Sequence, residues 1–474
     1  MQRTLAYRRR SAIAPEGDGW TIALATDLRR DRVAFDDALR HPSRFREGFG
    51  TFLDALLIGG RPRPIPCDPI VEVGPESLTF EGFRGDESAL VRLELGRDAF
   101  ADEAGRQSGT THFDTSRGLI EGLQVLRGYR PTRLRIDPGE AGPDADPEEA
   151  VEPSPTWLRG YLGLQAAMTL PLRRVRLGRD GLYRVLAFLD RHASAKGPRA
   201  LRFDSDPGRP PALVLEPWGE RIDLPGDGDG GQPHGPIRVL GRERLRPLAR
   251  LLPLVDEADV FLLGDALPSF WSIRAGEIRL TLGLAGRTLG DRSAGPGAAR
   301  LAPPKPPGRY LAGRVAVHLR AGGVGTLGAI AGAGGGTEAE VLAALHQLAG
   351  LGQVARELPS GNYRRRTWID PADLPGEGDP ESVAAREIAR TRSVLVTLDR
   401  TGPDGVRALE GRVLERPVAL KLDPDSRALR ARCSCSHRAA AGSLCRHLLA
   451  LVEVAGDAGG RPATLEAWYA SFPG

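Results

Sequence analysis

The chain has 474 residues, of which 41% are hydrophobic and 27% charged, with a formal net charge of +4 at pH 7. This composition is typical of globular proteins with two to four domains, and the charge is too small to indicate a nucleic-acid binder by itself. Four cysteines give no disulfide framework, and no run of about 18 apolar residues predicts a membrane span. No apolar stretch follows Arg8-Arg9-Arg10, so we expect a cytoplasmic protein without a signal peptide or membrane contact.

The first 137 residues mix strand and helix patterns and predict an N-terminal α+β domain. Residues 20–25 and 89–95 favour strands, and residues 39–57 have helical apolar spacing that Pro42 is expected to break. Residues 138–155 are acidic, rich in proline and poor in apolar side chains, which predicts a linker.

Residues 156–300 predict a middle α+β domain. Ser154-Pro155 forms a good helix start, because serine caps a helix and proline fits its first turn. A second helix is expected near residues 181–192, followed by several strands. Residues 301–308 have four prolines and predict a second linker.

Residues 309–375 predict a winged-helix-like module, because three helical segments precede a β-hairpin whose turn is residues 359–362. Winged helices often bind DNA, with a helix in the major groove and the hairpin over phosphates. The expected nucleic-acid contacts are three arginines at the hairpin: Arg364, Arg365 and Arg366. The expected recognition helix, residues 338–348, has acids and alanines but no arginine, so a module that contacts only protein remains the alternative.

Residues 376–474 are expected to form a small domain built around a metal. Short strands are predicted near Val394, Val413 and Val418. They lead into a cluster of potential ligands, Cys433, Cys435, Cys445 and His447. Three cysteines and one histidine are a standard closed set for structural zinc, so the sequence predicts a Zn²⁺ site.

The spacing of these four residues also fits a metal site. Alternate residues of an extended strand share a face, so Cys433 and Cys435 can present two thiolates together. Cys445 precedes an apolar helix, whose N-terminus favours a thiolate. His437 is a possible substitute ligand, but His447 adjoins the helix and is preferred. Three buried cysteines without metal are the alternative.

The residues around the cluster are strongly basic. Residues 426–447 contain five arginines and no acid, which can attract phosphate. We expect nucleic-acid contacts from Arg432, Arg438 and Arg446, and a solvated surface is the alternative interpretation.

The order Cys-x-Cys, spacer, Cys-x-His resembles the SWIM zinc finger. Residues 157–161, 165–171, 216–219, 267–270 and 281–284 resemble segments of a bacterial family with this finger. The resemblance covers residues 155–474 loosely. It implies protein partners, a MoxR-type AAA ATPase and a von Willebrand A-domain protein, in systems that are thought to act in cellular conflict or macromolecular remodelling.

No motif of an enzyme stands out. Residues 323–328 match G-x-G-x-x-G, but no acidic strand end follows at the distance that dinucleotide binding needs. The sequence therefore predicts a non-enzymatic recognition subunit that binds DNA, RNA or a protein target for an ATPase partner. A protein–protein adaptor with a purely structural zinc finger is the alternative. An enzymatic site built from distant residues of the 1–300 region also stays open.

Overall fold

The computed structural model describes residues 3–5, 7–28, 33–57, 68–101, 106–137, 149–151, 155–192, 200–204, 210–225, 236–286, 311–322, 324–366, 380–391, 393–403, 406–422, 429–435 and 445–457. The chain forms two compact units. Unit 1 is Met1–Arg287 with Pro304–Pro371, and unit 2 is Thr288–Pro303 with Ala372–Gly474. Both units mix helices with sheets that are mostly antiparallel, apart from the parallel pair β3–β9, so the expected combination of α and β structure is confirmed.

Unit 1 contains most of the regular structure. Its strands are β1 (Arg3–Leu5), β2 (Ala12–Glu16), β3 (Gly19–Ala25), β4 (Phe35–Ala38), β5 (Ile70–Val73), β6 (Ser77–Phe83), β7 (Ala89–Gly96), β8 (Gly109–His112), β9 (Thr132–Asp137), β10 (Glu149–Val151), β11 (Arg173–Arg176), β12 (Leu201–Asp204), β13 (Ala212–Leu215), β14 (Glu220–Asp223), β15 (Ile237–Val239), β16 (Glu257–Leu262), β17 (Ser269–Ala275), β18 (Ile278–Leu284), β19 (Val324–Thr326), β20 (Val354–Arg356) and β21 (Asn362–Arg365). Its α-helices are α1 (Pro42–Leu56), α2 (Arg117–Gly122), α3 (Pro155–Thr169), α4 (Gly178–Arg191), α5 (Leu311–Gly322), α6 (Leu327–Gly334) and α7 (Glu338–Gly350). Short 3₁₀ helices span Arg97–Ala99, Leu123–Val125, Arg242–Arg250 and Leu252–Leu254.

One eight-stranded antiparallel sheet joins the two halves of unit 1. Its order is β11-β16-β17-β18-β7-β6-β5-β8, and the central pair β18–β7 places Thr281 opposite Arg92. The expectation of separate domains at 1–137 and 156–300 is therefore wrong. Both central strands are mostly buried, and each satisfies backbone hydrogen bonds of the other. Sequence patterns are local, so they do not reveal that two strands so far apart in the chain pair with each other.

Helix α1 packs on the centre of this sheet. Pro42 does not break the helix as expected but begins it, because proline has no N–H to lose in the first turn. Phe45, Phe49 and Phe52 lie on its buried face, and the Phe49 ring meets Phe80 of β6 edge-on with 5.0 Å between ring centroids. These aromatic contacts form the centre of the core.

The predicted order of three helices and a hairpin at residues 309–375 is confirmed by α5, α6, α7 and the β20–β21 hairpin. The short strand β19 also pairs with β21, and this strand was not expected. A reciprocal capping box between Thr337 and Glu340 begins α7. Helix α7 packs against both α3 and α5, so much of its surface is used inside unit 1.

A buried carboxylate lies where this hairpin, helix α3 and the large sheet meet. Glu81 of β6 is fully buried and accepts four hydrogen bonds from three parts of the chain. Its donors are Arg92 Nε at 2.6 Å, Arg366 Nη1 at 2.8 Å, Tyr161 Oη at 2.6 Å and Gln165 Nε2 at 2.7 Å. An ionised group in the interior needs such partners, because desolvation alone would cost several kcal/mol.

The charge state of Glu81 follows from these contacts. Burial raises the pKa of the carboxyl, but the charges of Arg366 and Arg92 and the hydrogen bond from Tyr161 outweigh burial. The pKa of Glu81 falls from its ordinary value of 4.5 to about 2. The group is therefore a carboxylate at neutral pH.

Further contacts hold the hairpin in place. Arg364 forms a buried ion pair with Glu72 of β5. Arg356 Nη1 donates to the carbonyl oxygens of Met168 and Leu170, at 2.9 and 3.0 Å. The hairpin is thus fixed by charged and polar contacts to the sheet and to the end of α3.

Unit 2 has one antiparallel sheet in the order β22-β23-β24-β25 and two described helices. Its strands are β22 (Val394–Thr401), β23 (Arg407–Val413), β24 (Arg416–Leu422) and β25 (Leu429–Cys433), and its helices are α8 (Pro380–Arg390) and α9 (Arg446–Asp457). The prediction of a strand that continues from Val413 through residue 415 is wrong. Leu414 and Glu415 have φ of 49° and 62° and form the β23–β24 turn.

Helix α9 packs closely on the middle of this sheet. A Cβ on Gly411 of β23 would lie 2.6 Å from Leu451 Cδ1 and 2.5 Å from the Leu395 carbonyl oxygen. Only glycine therefore permits this approach of helix and sheet.

None of the helices in the described part of the chain combines the length and apolar character that a membrane crossing requires.

Replacing Arg366 by methionine removes one partner of the buried Glu81 charge. We expect the free energy of unfolding of unit 1 to fall by about 3–5 kcal/mol. Arg365→Met at the exposed neighbouring position is the control, with a change within about 0.5 kcal/mol. Urea unfolding followed by tryptophan fluorescence measures both, because four of the six tryptophans, Trp20, Trp157, Trp218 and Trp271, lie in the described part of unit 1. Equal effects of the two substitutions would contradict this assignment.

Acid should destabilise unit 1 through Glu81. Because its pKa is lower in the folded state, its stabilising contribution is complete above pH 4.5 and is lost as the pH falls toward 2. We expect the stability difference between the wild type and Glu81→Gln to be constant above about pH 5 and to shrink below it. Urea titrations at a series of pH values test this, and a difference that stays constant down to pH 2 would contradict it.

Candidate metal centre

The sheet and the last helix of unit 2 each supply two of the predicted ligands. Cys433 is the last residue of β25, where it lies opposite Val418 of β24, and Cys435 follows two residues later. Cys445 directly precedes α9, and its carbonyl accepts a hydrogen bond of 3.1 Å from the Leu449 N–H. His447 lies in the first turn of α9.

The four side chains converge as the sequence predicted. The ligand atoms of Cys433, Cys435, Cys445 and His447 all lie within 4.8 Å of one another. Cys433 Sγ is 3.8 Å from His447 Nδ1. A tetrahedral zinc ion bound to sulfur at about 2.3 Å and to nitrogen at about 2.1 Å separates these two atoms by roughly 3.6 Å, so the observed separation suits a shared ion. The cluster can therefore hold a metal ion.

The protein groups around Cys445 favour its neutral thiol form. Burial raises the pKa of this thiol to about 12, and the neighbouring Cys435 and Cys433 thiols act in the same direction. A hydrogen bond from the Leu448 N–H opposes them and lowers the pKa. The Leu448 N–H at the helix start therefore acts in the expected direction, but burial and the two other thiols outweigh it, and a bound cation would be needed to hold Cys445 as a thiolate.

The cluster belongs to the core of unit 2. Cys435 and Cys445 pack in the same buried cluster as Leu420, Leu448 and Leu451. Cys445 has no exposed surface, and His447 retains 9% of its exposure. A metal bound here would connect the end of β25 to the start of α9 from inside the core.

The sequence analysis missed strand β23, which lies between the other strands of this sheet. Its residues alternate between buried and exposed from Arg407 to Val413, and this pattern was the available signal. Arg407 is itself buried. It makes a bidentate ion pair with Asp399 of β22, with distances of 2.8 and 2.7 Å. A buried arginine at the start of the strand obscured the alternation of apolar and polar residues.

Two of the three phosphate-binding arginines that were predicted near the cysteines lie in the described part of the chain. Arg432 and Arg446 are exposed next to the ligands Cys433 and Cys445. Arg438, like the possible ligand His437, lies outside the described residues.

For two of the three hairpin arginines the prediction is wrong. Arg364 and Arg366 are 8% and 2% exposed, and they pair with Glu72 and Glu81 inside unit 1. These side chains neutralise buried carboxylates and are not available to phosphate. Arg365 points to solvent, because alternate residues of a strand face opposite sides, and its role stays a prediction.

A concavity of about 770 Å³ lies against the sheet β14-β13-β12-β15. Its charged side chains pair with each other. Glu216 accepts hydrogen bonds from Arg202 at 2.8 Å and from Arg238 at 3.2 Å, and Arg202 also binds Asp204. These mutual ion pairs leave this surface close to neutral, so it is a weaker candidate site than the cysteine cluster.

Comparisons with known proteins do not assign the chain to a family. No family model and no curated protein matches it. Similar solved structures include the proliferating cellular nuclear antigen of Entamoeba histolytica, with 11% identity and a TM-score of 0.36 over 53% of this chain and 98% of that one. PCNA from Thermococcus kodakaraensis has 14% identity and a TM-score of 0.35 over 53% and 99% of the two chains. At these TM-scores the likeness carries no argument about fold or function.

Metal analysis of purified variants tests the cluster directly. We expect one bound metal ion per wild-type chain under reducing conditions and less than about a tenth of that in Cys445→Ser, since the site loses one of four ligands. Cys67→Ser is the matched control, because Cys67 is the one cysteine outside the cluster, and it should retain the metal. Equal metal content in the two variants would contradict the site.

Proposed function

We propose that unit 2 is a zinc finger in which Zn²⁺ has a structural role. Three cysteines and one histidine form a closed set that leaves no open position for a reacting water. The burial of Cys445 and the small core around it support a metal that supplies folding energy. The ion is expected to fix the end of β25 to α9, and no step of a reaction is assigned to it.

Nucleic-acid recognition by this unit is the function that the observations favour. The observation that carries the proposal is the exposure of two arginines that directly neighbour ligands in the sequence, Arg432 before Cys433 and Arg446 after Cys445. A structural zinc ion would hold these two arginines at fixed positions, as phosphate binding requires. The winged-helix-like module contributes less to this function than the sequence predicts, because two arginines of its hairpin are buried.

The wider proposal is a recognition subunit of an ATPase-containing bacterial system. Its support is the resemblance of the Cys-x-Cys…Cys-x-His pattern to the SWIM finger, whose bacterial family accompanies a MoxR-type ATPase and a von Willebrand A-domain protein. Under this proposal unit 2 binds the target and the protein has no enzymatic activity of its own.

A protein–protein adaptor remains the second candidate, and one observation favours it. Helix α7 and the β20–β21 hairpin, the two elements that a DNA-binding winged helix would present to DNA, make packing contacts and hydrogen bonds inside unit 1 instead. In the adaptor, zinc only stabilises unit 2, and the surfaces of unit 1 dock the partners.

Charge reversal at the two exposed arginines separates these functions. For Arg432→Glu with Arg446→Glu we expect weaker DNA binding and a slope of log affinity against log salt that is shallower by about 2, from two lost phosphate contacts. Fluorescence anisotropy over a salt series measures this, and metal content must be unchanged. A wild-type protein that holds zinc but does not bind DNA at low salt would favour the adaptor.

A further inference from the structure

The sheet of unit 2 has one face against its helices and one face toward solvent. On β23, Leu409, Gly411 and Val413 are buried, while Glu410 and Arg412 are exposed. Residues directly opposite one another in antiparallel strands share a face, so the strand pairing extends this surface from β23 to residues of the other three strands. We define the outer face by five exposed residues: Arg400, Glu410, Arg412, Lys421 and Arg432.

The strand register brings these charges together from distant parts of the sequence. Arg400 of β22 and Lys421 of β24 both lie opposite Ala408, so their backbones are about 10 Å apart, or two strand spacings. Arg432 of β25 lies opposite Ala419, one strand from Lys421. The bulge between Val396 and Leu398 keeps Arg400 on this side of the sheet.

Four cations and one carboxylate give the outer face an excess of positive charge. Arg412 pairs with Glu415 at 3.4 Å, but both side chains are exposed, so this pair is weak. Arg400, Lys421 and Arg432 form no ion pair with another residue of the described part of the chain. Small side chains, Ala408 and Ala419, lie between the cations and leave the face open to a large polyanion.

The chemistry of the face favours a duplex over a single strand. Sheets that bind single-stranded nucleic acid present aromatic rings on which bases stack. Strands β22 to β25 contain no phenylalanine, tyrosine or tryptophan. Long cations around small residues can contact phosphates of a duplex whose bases stay paired.

We propose that the outer face of the unit 2 sheet binds the phosphate backbone of double-stranded DNA, through Arg400, Arg412 and Lys421 together with Arg432. This inference rests on the proposed function and extends the contact surface from the metal cluster to the whole sheet. Binding is independent of base sequence, because phosphate contacts carry no sequence information.

The test uses the full-length, metal-loaded protein and a 20–30 base-pair DNA duplex as the probe, a length on the order of a typical protein site. The variant Arg400→Glu/Arg412→Glu/Lys421→Glu should have a salt slope that is shallower by about 2.7, from roughly 0.9 for each phosphate contact. The matched control reverses three exposed arginines of unit 1, Arg130, Arg176 and Arg184, and has the same net charge. Equal slopes in the two variants would overturn the proposal.

A second variant increases the charge of the face and guards against loss of binding through misfolding. Glu410→Lys should bind the duplex more tightly than the wild type, with a slope steeper by about 1. Unchanged or weaker binding, at unchanged metal content, would count against the outer face. Tighter binding of the wild type to single-stranded DNA or duplex RNA of the same sequence would also overturn the choice of partner.

These results distinguish the inference from the function on which it rests. A wild-type protein that binds no duplex at low salt refutes both. Salt-dependent wild-type binding that is lost in Arg432→Glu/Arg446→Glu but kept in the sheet variant refutes only the inference. In that last case the outer face would be free for another ligand. A protein would then be favoured on this surface, because two exposed leucines, Leu395 and Leu398, lie at its β22 edge.

Discussion

Unit 1 depends on the burial of one carboxylate, Glu81. A charge inside a protein is tolerated only when its partners are fixed in place, and this one has two arginines, a tyrosine and a glutamine. Those partners come from β7, from helix α3 and from the end of the β20–β21 hairpin. The large sheet, the helix after the acidic segment and the winged-helix-like module must therefore assemble together for any of them to satisfy this charge.

The core of unit 2 is built differently from that of unit 1. Its hydrophobic core is small, and three of the residues that pack in it are cysteines at the sheet–helix junction, Cys433, Cys435 and Cys445. A metal ion can join this junction with few residues, because each ligand bond replaces many apolar contacts. Close approach of α9 to the sheet at Gly411 brings Cys445 and His447 within reach of Cys433 and Cys435.

The arginines show how one residue type serves opposite purposes in the two units. Arg364 and Arg366 neutralise buried glutamates in unit 1, whereas Arg400, Arg412 and Arg432 remain exposed on the sheet of unit 2. Burial lowers the pKa of Arg364 to about 9, which shows the cost of placing this cation in the interior. Exposed arginines bear no such cost and keep their charge available for a polyanion.

The sequence alone identified the four side chains that can hold a metal ion, because ligand type and local spacing carry that information. It also predicted the three helices and hairpin, whose apolar periodicity and turn residues are local signals. Only the tertiary structure decided which strands pair, and so joined residues 1–137 and 156–300 through the β18–β7 contact. The same limit explains Arg364 and Arg366, since an arginine looks identical in sequence whether its partner is a distant buried glutamate or the solvent. Burial and charge pairing arise between residues far apart in the chain, and no local pattern records them.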